Sequence, residues 1–266
     1  MTKHRITSIL AGMSVLFLTP AALAQTSAPI RAAKAIPDLS GVWQNTQLSG
    51  RAEAGPAGGS GGGFMGPGGI PTFAFSTEEP EMLPWAAEKY KAARTGLARG
   101  PLDKGNDKLN PILSCFPPGP TRMYTILPPW EIRQLPDMVL LLFESDHWVR
   151  RVYLDGRGHP DGYPITWMGH SIGWYEGDTL VVDTVGTHDQ TWIDGFGHPH
   201  TEALHIVERL HLLDHDSLQI DLTFDDPKTY TKPWAGKKIF QRAPPGFELM
   251  ESVMCDDWLE MVKPSK

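Results

Sequence analysis

The amino-acid sequence predicts a mainly β fold, in which an antiparallel meander of strands closes into a barrel, accompanied by one short helix and a Gly-rich loop. From about Tyr124 onward, short runs rich in β-branched and aromatic residues alternate with tight turns, a pattern typical of strands joined by hairpins. No helical segment of crossover length interrupts this series, so antiparallel pairing is expected throughout. A long meander removes its exposed edges by closing into a barrel or by folding into a sandwich, and we predict the barrel.

The first 24 residues have the pattern of a cleavable secretory signal. Lys3 and Arg5 supply a positive start, 6–23 is rich in apolar residues, and Ala22-Leu23-Ala24 is a small-x-small cleavage site. A membrane anchor is disfavoured, because Pro20 and the cleavage site fall where a spanning helix would continue. We therefore predict cleavage near Ala24 and a periplasmic or secreted protein that begins with a flexible lead-in over 25–36.

The charge balance argues against two classes of partner. Cleavage after Ala24 removes two basic residues and no acidic one, which leaves 22 of the 24 basic side chains against 31 acidic ones, a formal charge of −9. Nucleic acids and anionic membranes both favour clustered Lys and Arg, and the sequence contains no such cluster. We therefore expect a small-molecule ligand, no nucleic acid and no membrane span, while the oligomeric state stays open.

The rest of the chain is predicted to form one domain over 37–262. Its first strand includes Gly41-Val42-Trp43, which follows a turn signal. Gly with Pro and Ala dominates 54–69, a composition that cannot bury a core and predicts a mobile loop. The predicted helix covers about 81–94, because Pro84 suits an early helical position and apolar residues recur there at helical spacing.

The strands after Tyr124 are predicted from apolar runs that are bounded by turn residues. In chain order they are 139–144, 148–154, 166–175, 179–185, 202–213, 217–224, 236–242 and 247–254. The last two are expected to form a closing hairpin.

The sequence contains two cysteines, Cys115 and Cys255. In an oxidising compartment, two such residues favour a disulfide over free thiols. The competing interpretations are two buried thiols or one reactive thiol. Neither cysteine belongs to a Cys-x-x-Cys motif, which argues against redox chemistry.

Several segments resemble known families. Gly41-Val42-Trp43 on a first strand resembles the Gly-x-Trp signature of lipocalins and the wider calycin group. A broader resemblance, from about Pro37 to Cys255, is to a family of secreted bacterial proteins. It is carried by the segments Pro37 to Trp43, Cys115 to Gly119, Arg150 to Arg157, Trp167 to Ser171, Gly177 to Thr184 and Tyr230 to Trp234. This resemblance implies a periplasmic, lipocalin-like barrel and a Cys115–Cys255 bridge, and it transfers no catalytic residue.

The densest polar cluster lies within 188–205. On a regular strand, alternate side chains share a face, so His198, His200 and Glu202 would project together at steps of about 6–7 Å. Two imidazoles and a carboxylate are donors that a divalent metal such as Zn accepts. One hypothesis is therefore a metal site at these residues, with His170 as a fourth ligand or as an acid/base.

The alternative for this cluster is a polar hairpin rim with solvated histidines. Gly197 and Pro199 indicate a turn, and a turn would scatter the neighbouring side chains. His205 would point away from Glu202 on a regular strand, so it is predicted to make a separate contact.

A second hypothesis needs no metal. Charged residues interrupt the predicted strands, and any that face inward must be paired, since an unpaired buried charge is too costly. These residues are Glu144, Arg151, Asp183, Glu208 and Arg209. A pocket lined by paired Asp, Arg and His suits general acid–base catalysis, and the alternative is an ion-pair network that only holds the barrel closed.

The combined functional hypothesis is a periplasmic barrel that takes a small hydrophobic or aromatic molecule into its mouth. Trp167 and Trp192 would stack on a flat ligand, although both are equally compatible with a core position. The predicted catalytic residues are His170, Asp194 and Glu202, and the predicted ligand contacts are Arg151, Trp167, Trp192 and His205. The reaction would be of the lyase, isomerase or hydrolase type; the alternative is a non-catalytic carrier of the cell envelope.

Overall fold

The structure, a computed structural model, describes residues 36–45, 66, 69–97, 110–252 and 255. The predicted signal peptide (1–24) lies outside these residues, as do all but the last position of the lead-in (25–36) and most of the Gly-rich loop (54–69). In the described part of the chain, no helix combines the length and the apolar character needed to cross a membrane.

Nine β-strands form a closed barrel in which each strand pairs with its neighbours along the chain and the last pairs with the first. This barrel, with a single α-helix among the described residues, confirms the predicted fold class. The elements are β1 (Gly41–Asn45), α1 (Pro84–Leu97), β2 (Trp130–Gln134), β3 (Met138–Phe143), β4 (Val149–Tyr153), β5 (His170–Glu176), β6 (Thr179–Val185), β7 (His205–Asp214), β8 (Ser217–Asp225) and β9 (Trp234–Arg242).

The interior of the barrel is filled by side chains. In β8, alternate residues from Leu218 to Phe224 are buried, as expected for a strand with one face on a core. Aromatic rings meet at centroid distances between 5.1 and 6.2 Å; they belong to Tyr124, Trp130, Phe143 and Phe240. Among the described residues, this part of the barrel interior is therefore packed with side chains.

One ion pair is buried within this packed interior. Arg150 of β4 and Glu208 of β7 have side chains that are 1% and 0% exposed, and they form a two-pronged contact. The guanidinium also donates to the hydroxyl oxygens of Ser171 and Thr184 at 3.1 and 2.7 Å. Glu208 is thus one of the strand charges that the sequence hypothesis required to be paired if they face inward. Its partner is Arg150 rather than the neighbouring Arg151, which is exposed.

Strand parity explains one departure from the predicted meander. Strand directions cannot alternate all the way around a closed barrel with an odd number of strands, so at least one neighbouring pair must be parallel. Eight of the nine pairs are antiparallel, and the exception is β4 with β5. The prediction of antiparallel pairing throughout was therefore wrong at this one junction.

The parallel pair is the shortest in the barrel. It comprises only Val152 with Ser171 and Tyr153 with Ile172, and we call it the β4–β5 seam. A parallel connection needs a dozen or more residues, and here the irregular segment 154–169 supplies them without a helix. Gly169 enters β5 with a φ of +67°, and a Cβ there would lie 2.7 Å from the Val185 carbonyl oxygen, so the chain can turn into the sheet only at a glycine.

Helix α1 begins and ends three residues later than the predicted 81–94, with Pro84 as its first residue. Ala86 and Ala93 are buried, and a Cβ on Gly197 would come within 2.6 Å of Ala93, so the helix packs closely against the loop before β7. Trp85 is 43% exposed, and its indole N–H donates to the Lys228 carbonyl oxygen at 2.9 Å.

The chain end departs from the predicted hairpin, although the bridge is confirmed. Strand β9 pairs with β8 and β1, and residues 247–252 form no strand. Instead, Met250 and Cys255 contact the β3–β4 turn: the backbone N–H of Met250 donates to Glu144 and that of Cys255 donates to Asp146. Cys255 forms a disulfide with Cys115.

Candidate functional site

A cleft of about 260 Å³ opens at the β4–β5 seam. Pairing between the two strands begins only at Val152 and Ser171, so the residues that precede these two positions in the chain separate and leave space between them. The lining residues are Trp148, Val149, Arg150, Arg151, Tyr153, Tyr163, Thr166, Trp167, Met168, Gly169, His170 and Ser171. Three sequence-predicted residues, His170, Arg151 and Trp167, are thereby brought together.

The cleft lies on the outer side of the barrel wall. Arg150 donates to Ser171 and to Glu208 inside the barrel, so the sequence neighbours Arg151 and His170 face outward by alternation. Tyr163, from the connection between β4 and β5, covers this side. The expectation that a ligand enters the barrel mouth is thus replaced by a site on the wall.

His170 ends a chain of hydrogen-bonded side chains. Its Nδ1 lies 2.8 Å from Nδ1 of His159, and Nε2 of His159 lies 2.9 Å from one carboxylate oxygen of Asp183. The other oxygen of Asp183 lies 2.9 Å from Nε2 of His205. The imidazoles of His159 and His205 therefore contact the Asp183 carboxylate directly, and that of His170 is linked to it through the ring of His159. Of these four residues, only His170 lines the cleft.

Donor and acceptor roles along this chain follow from the chemistry of each group. An ionised carboxylate only accepts, so Nε2 of His159 donates to Asp183. Nδ1 of a neutral His159 then accepts from Nδ1–H of His170. The proton of His170 is thereby placed on Nδ1, which leaves a lone pair on Nε2. Among the described residues no group bonds to Nε2, so this atom remains for a ligand.

The pKa values agree with this assignment. Burial, together with the nearby His159 and Arg157, lowers the pKa of His170 below its ordinary 6.5, so the ring is neutral at neutral pH. Burial would raise the pKa of Asp183, but hydrogen bonds from His205 and His159 outweigh it and lower the value. The bond to Asp183 raises the pKa of His205. An anionic Asp183 is therefore connected, through the ring of His159, to a neutral His170.

Aromatic rings form the walls around His170. The ring of Tyr153 stacks on it with centroids 5.5 Å apart, and Tyr163 approaches to 4.7 Å. Trp167 stacks on His188 at 4.4 Å with an interplanar angle of 9°. Flat apolar faces beside a hydrogen-bonding nitrogen favour a small aromatic molecule.

The remaining sequence-predicted residues do not reach the cleft. Asp194 is buried, and its carboxylate accepts from the backbone N–H groups of Phe196 and Gly197 and contacts Nδ1 of His198 at 2.7 Å. Trp192 is buried under the Arg122 guanidinium, which lies 4.8 Å from its ring. His205 contacts Asp183 on the outer wall.

The predicted metal ligands are not brought together. Nε2 of His198 lies 2.8 Å from Glu79, and Nε2 of His200 lies 2.6 Å from the Thr191 hydroxyl. Glu202 is exposed. Gly197, with a φ of +95°, breaks the extended conformation that the hypothesis required. Among the described residues, no three His, Cys, Asp or Glu side chains are arranged to hold a metal ion.

His198 instead joins the barrel to the segment before α1. Its contribution to the free energy of unfolding should depend on pH. Burial lowers its pKa, but the Asp194 and Glu79 carboxylates outweigh burial and raise it from 6.5 to about 9. Because the folded-state pKa is raised, the stabilisation is complete below about pH 6.5 and is lost as pH rises through about 9. At about 1.4 kcal/mol for each pKa unit, the contribution is on the order of 3 kcal/mol.

The substitution His198→Asn should therefore flatten the fall in the free energy of unfolding between pH 6.5 and 9, measured by urea denaturation. His215→Asn is the matched control, because His215 also contacts a carboxylate, that of Asp216, but its side chain is 85% exposed. Equal pH slopes for the wild-type and His198→Asn proteins would contradict this role.

Sequence reasoning missed His159 and named Asp183 only as one of five strand charges that could face inward and line an acid–base pocket. The available signal was the length of the 154–169 connection, because hairpin loops are commonly about two to five residues long. A long connection without a helix indicates either a functional loop or a parallel crossover, and here it is both.

These observations come from this chain's own geometry. No protein-family model matches the chain, and no curated protein or solved structure does either.

Proposed function

We propose that this protein binds a small aromatic molecule in the cleft at the β4–β5 seam and that Nε2 of His170 removes a proton from it. The observation that carries this proposal is the Asp183–His159–His170 chain, which ends at a free ring nitrogen in the cleft. A carboxylate that orients an imidazole and stabilises its protonated form is the arrangement that general-base catalysis uses.

The size of the cleft limits the ligand. Its volume of about 260 Å³ lies just below the roughly 300–1,000 Å³ of typical small-molecule sites. A molecule with a single aromatic ring suits this space, with its ring against the aromatic walls and its reactive atom near Nε2 of His170.

The reaction class is proton abstraction next to a carbonyl group. The C–H bond breaks, its electron pair moves onto the carbonyl oxygen as an enolate, and His170 becomes an imidazolium. Where a C=C bond is conjugated with the enolate, return of the proton to the far carbon of this dienolate completes an isomerisation; where the β-carbon carries a leaving group, departure of that group with its electron pair completes an elimination. The product would therefore be that of an isomerase or a lyase.

The proposal places this chemistry in the periplasm. The Cys115–Cys255 disulfide supports an oxidising compartment, as does the predicted signal sequence. Membership of the secreted family with lipocalin-like barrels is part of the same proposal, and the closed barrel supports it.

The test uses phenylacetone, a neutral single-ring ketone with a C–H group between the ring and the carbonyl. In D₂O, the full chain should catalyse loss of the benzylic proton signal in ¹H NMR above the uncatalysed rate. His170→Gln should reduce the catalysed exchange by about 10²–10⁴-fold, the range of general-base catalysis. The rate should rise with pH, with its midpoint below 6.5, and then level off, because the pKa of His170 is lowered.

The matched control is His188→Gln. His188 also lies beside the cleft, stacked on Trp167, but it is not part of the Asp183 chain, so exchange should continue. If wild-type and His170→Gln proteins exchange equally fast, His170 is not the base. Quenching of tryptophan fluorescence without any exchange would instead identify a non-catalytic carrier.

A further inference from the structure

We infer that the ligand of the cleft is an anion, a small aromatic carboxylate whose carboxylate group binds Arg151. This inference rests on the proposed binding function and adds the charge of the ligand to it. It depends on three observations: the free guanidinium, the composition of the cleft and the register across the seam.

The first observation is that Arg151 has no partner. In the described part of the chain, no carboxylate or other acceptor contacts its guanidinium, although acidic residues outnumber basic ones, 31 to 24, in the sequence. Neighbouring arginines are occupied: Arg150 pairs with Glu208, and Arg157 pairs with Asp155 and stacks over Tyr153. Arg151 is thus the cation that a ligand can reach.

The second observation is the composition of the lining. None of the twelve lining residues is an Asp or a Glu. The charge of Arg150 is balanced by Glu208 within the barrel, and His170 is neutral because its pKa is lowered. The net charge at the cleft therefore comes from Arg151, in a protein whose overall charge is negative, and such a local positive field attracts anions.

The third observation is register. Val152 pairs with Ser171, so one step back along both strands places Arg151 beside His170 on the outer face. Tyr153 lies two residues from Arg151 on that same face, about 6–7 Å along the strand, and its ring stacks on His170. A carboxylate on Arg151 would then leave an attached ring against Tyr153 and the intervening atoms near Nε2 of His170.

Geometry also favours a carboxylate over a single-point anion. A guanidinium presents its N–H groups as a planar fork that matches the two oxygens of a carboxylate. An aryl carboxylate satisfies this fork and the aromatic walls at once, which neither a neutral arene nor an inorganic anion does.

The experiment compares two pairs of probes of equal shape: benzoate with benzamide, and phenylacetate with phenylacetamide. Binding to the full chain is measured by isothermal titration calorimetry and by quenching of tryptophan fluorescence, since Trp148 and Trp167 line the cleft. Each carboxylate should bind about 10- to 100-fold more tightly than its amide, the range of a charge-assisted hydrogen bond. This preference should weaken as salt is added.

The decisive variant is Arg151→Gln, which should weaken binding of each carboxylate far more than binding of its amide and so bring the carboxylate-to-amide ratio close to one. Arg133→Gln is the control, because Arg133 is an exposed arginine of another strand, β2, paired with Glu131; the ratio should stay as in the wild type. If carboxylate and amide bind equally to the wild type, the inference about charge is overturned and the cleft remains a binding site. If none of the four probes binds, the proposed function fails together with this inference.

Discussion

Replacing Glu208 by glutamine is expected to lower the free energy of unfolding by about 3–5 kcal/mol, the range for removal of one partner from a buried ion pair. Arg150 would keep its charge in a packed interior in which its side chain is 1% exposed. Without the Glu208 carboxylate, burial lowers the pKa of Arg150, but an arginine side chain keeps its proton in proteins, so the guanidinium cannot escape the cost by becoming neutral. Urea denaturation at neutral pH measures the change.

The adjacent ion pair provides the matched control. Arg209 follows Glu208 on β7 and points outward, where it contacts Glu176 at 2.7 Å with both side chains nearly half exposed. Arg209→Gln should cost only about 0–1 kcal/mol, as is typical of surface pairs. Equal losses for Glu208→Gln and Arg209→Gln would show that burial of the inner pair does not decide its energy.

A double variant separates the net contribution of the ion pair to stability from the cost of leaving one buried charge unpaired. In Arg150→Met with Glu208→Leu, both charges are gone and the interior becomes apolar, so stability should recover to near or above the wild-type value. If the double variant loses as much stability as Glu208→Gln, the pair makes a net stabilising contribution of its own. In either case, the result measures how much the buried ion pair stabilises the barrel. It therefore tests the alternative, left open by the sequence, in which buried charges only hold the barrel closed.

Removing the disulfide by Cys115→Ser with Cys255→Ser is expected to cost about 4–5 kcal/mol. The bridge spans 140 residues, and loop-closure entropy assigns about 5 kcal/mol to a loop of that length, reduced by any strain in the native state. Most of this effect lies in the unfolded chain, which becomes free to expand. Urea midpoints of the variant and of the oxidised wild type give the difference.

The reduced wild type is the internal control for this variant. With dithiothreitol present throughout unfolding, the wild type should match the double-serine variant, because both lack the covalent loop. An unchanged midpoint in the variant would contradict the entropic argument. Amide exchange should also quicken at Cys255, whose N–H donates to Asp146 on the β3–β4 turn.

Much of the fold was predictable because strand periodicity is local. In β8, alternation from Leu218 to Phe224 marks the buried face directly in the sequence. The sequence predicted nine strands, as observed, but through two offsetting errors: β2 (Trp130–Gln134) was missed, and a strand was assigned from residue 247, where 247–252 form none. An odd count already requires one parallel pair in a closed barrel, but strand periodicity does not show which pair it is.

The candidate site was predictable only where a strand or its approach positions a residue. His170, Arg151 and Trp167 meet at the cleft because the register of two neighbouring strands brings them there. His159 reaches His170 only through the path of the irregular connection between those strands, which no short-range pattern specifies. His198 and His200 were misassigned because the loop around Gly197 turns and directs each imidazole to a different partner.

The odd strand count has a consequence for how such a site can arise or vanish. A barrel with an even number of strands joined only by hairpins can be antiparallel around its whole circumference. Each strand can then be hydrogen-bonded along its length to both neighbouring strands. Gaining or losing a single strand would therefore allow the strands beside His170 to pair along their full length and close the cleft, without any change to the residues that line it. In this protein, the odd number of strands requires a parallel pair, the cleft opens beside that short pair, and side chains such as Arg151 determine what can enter there.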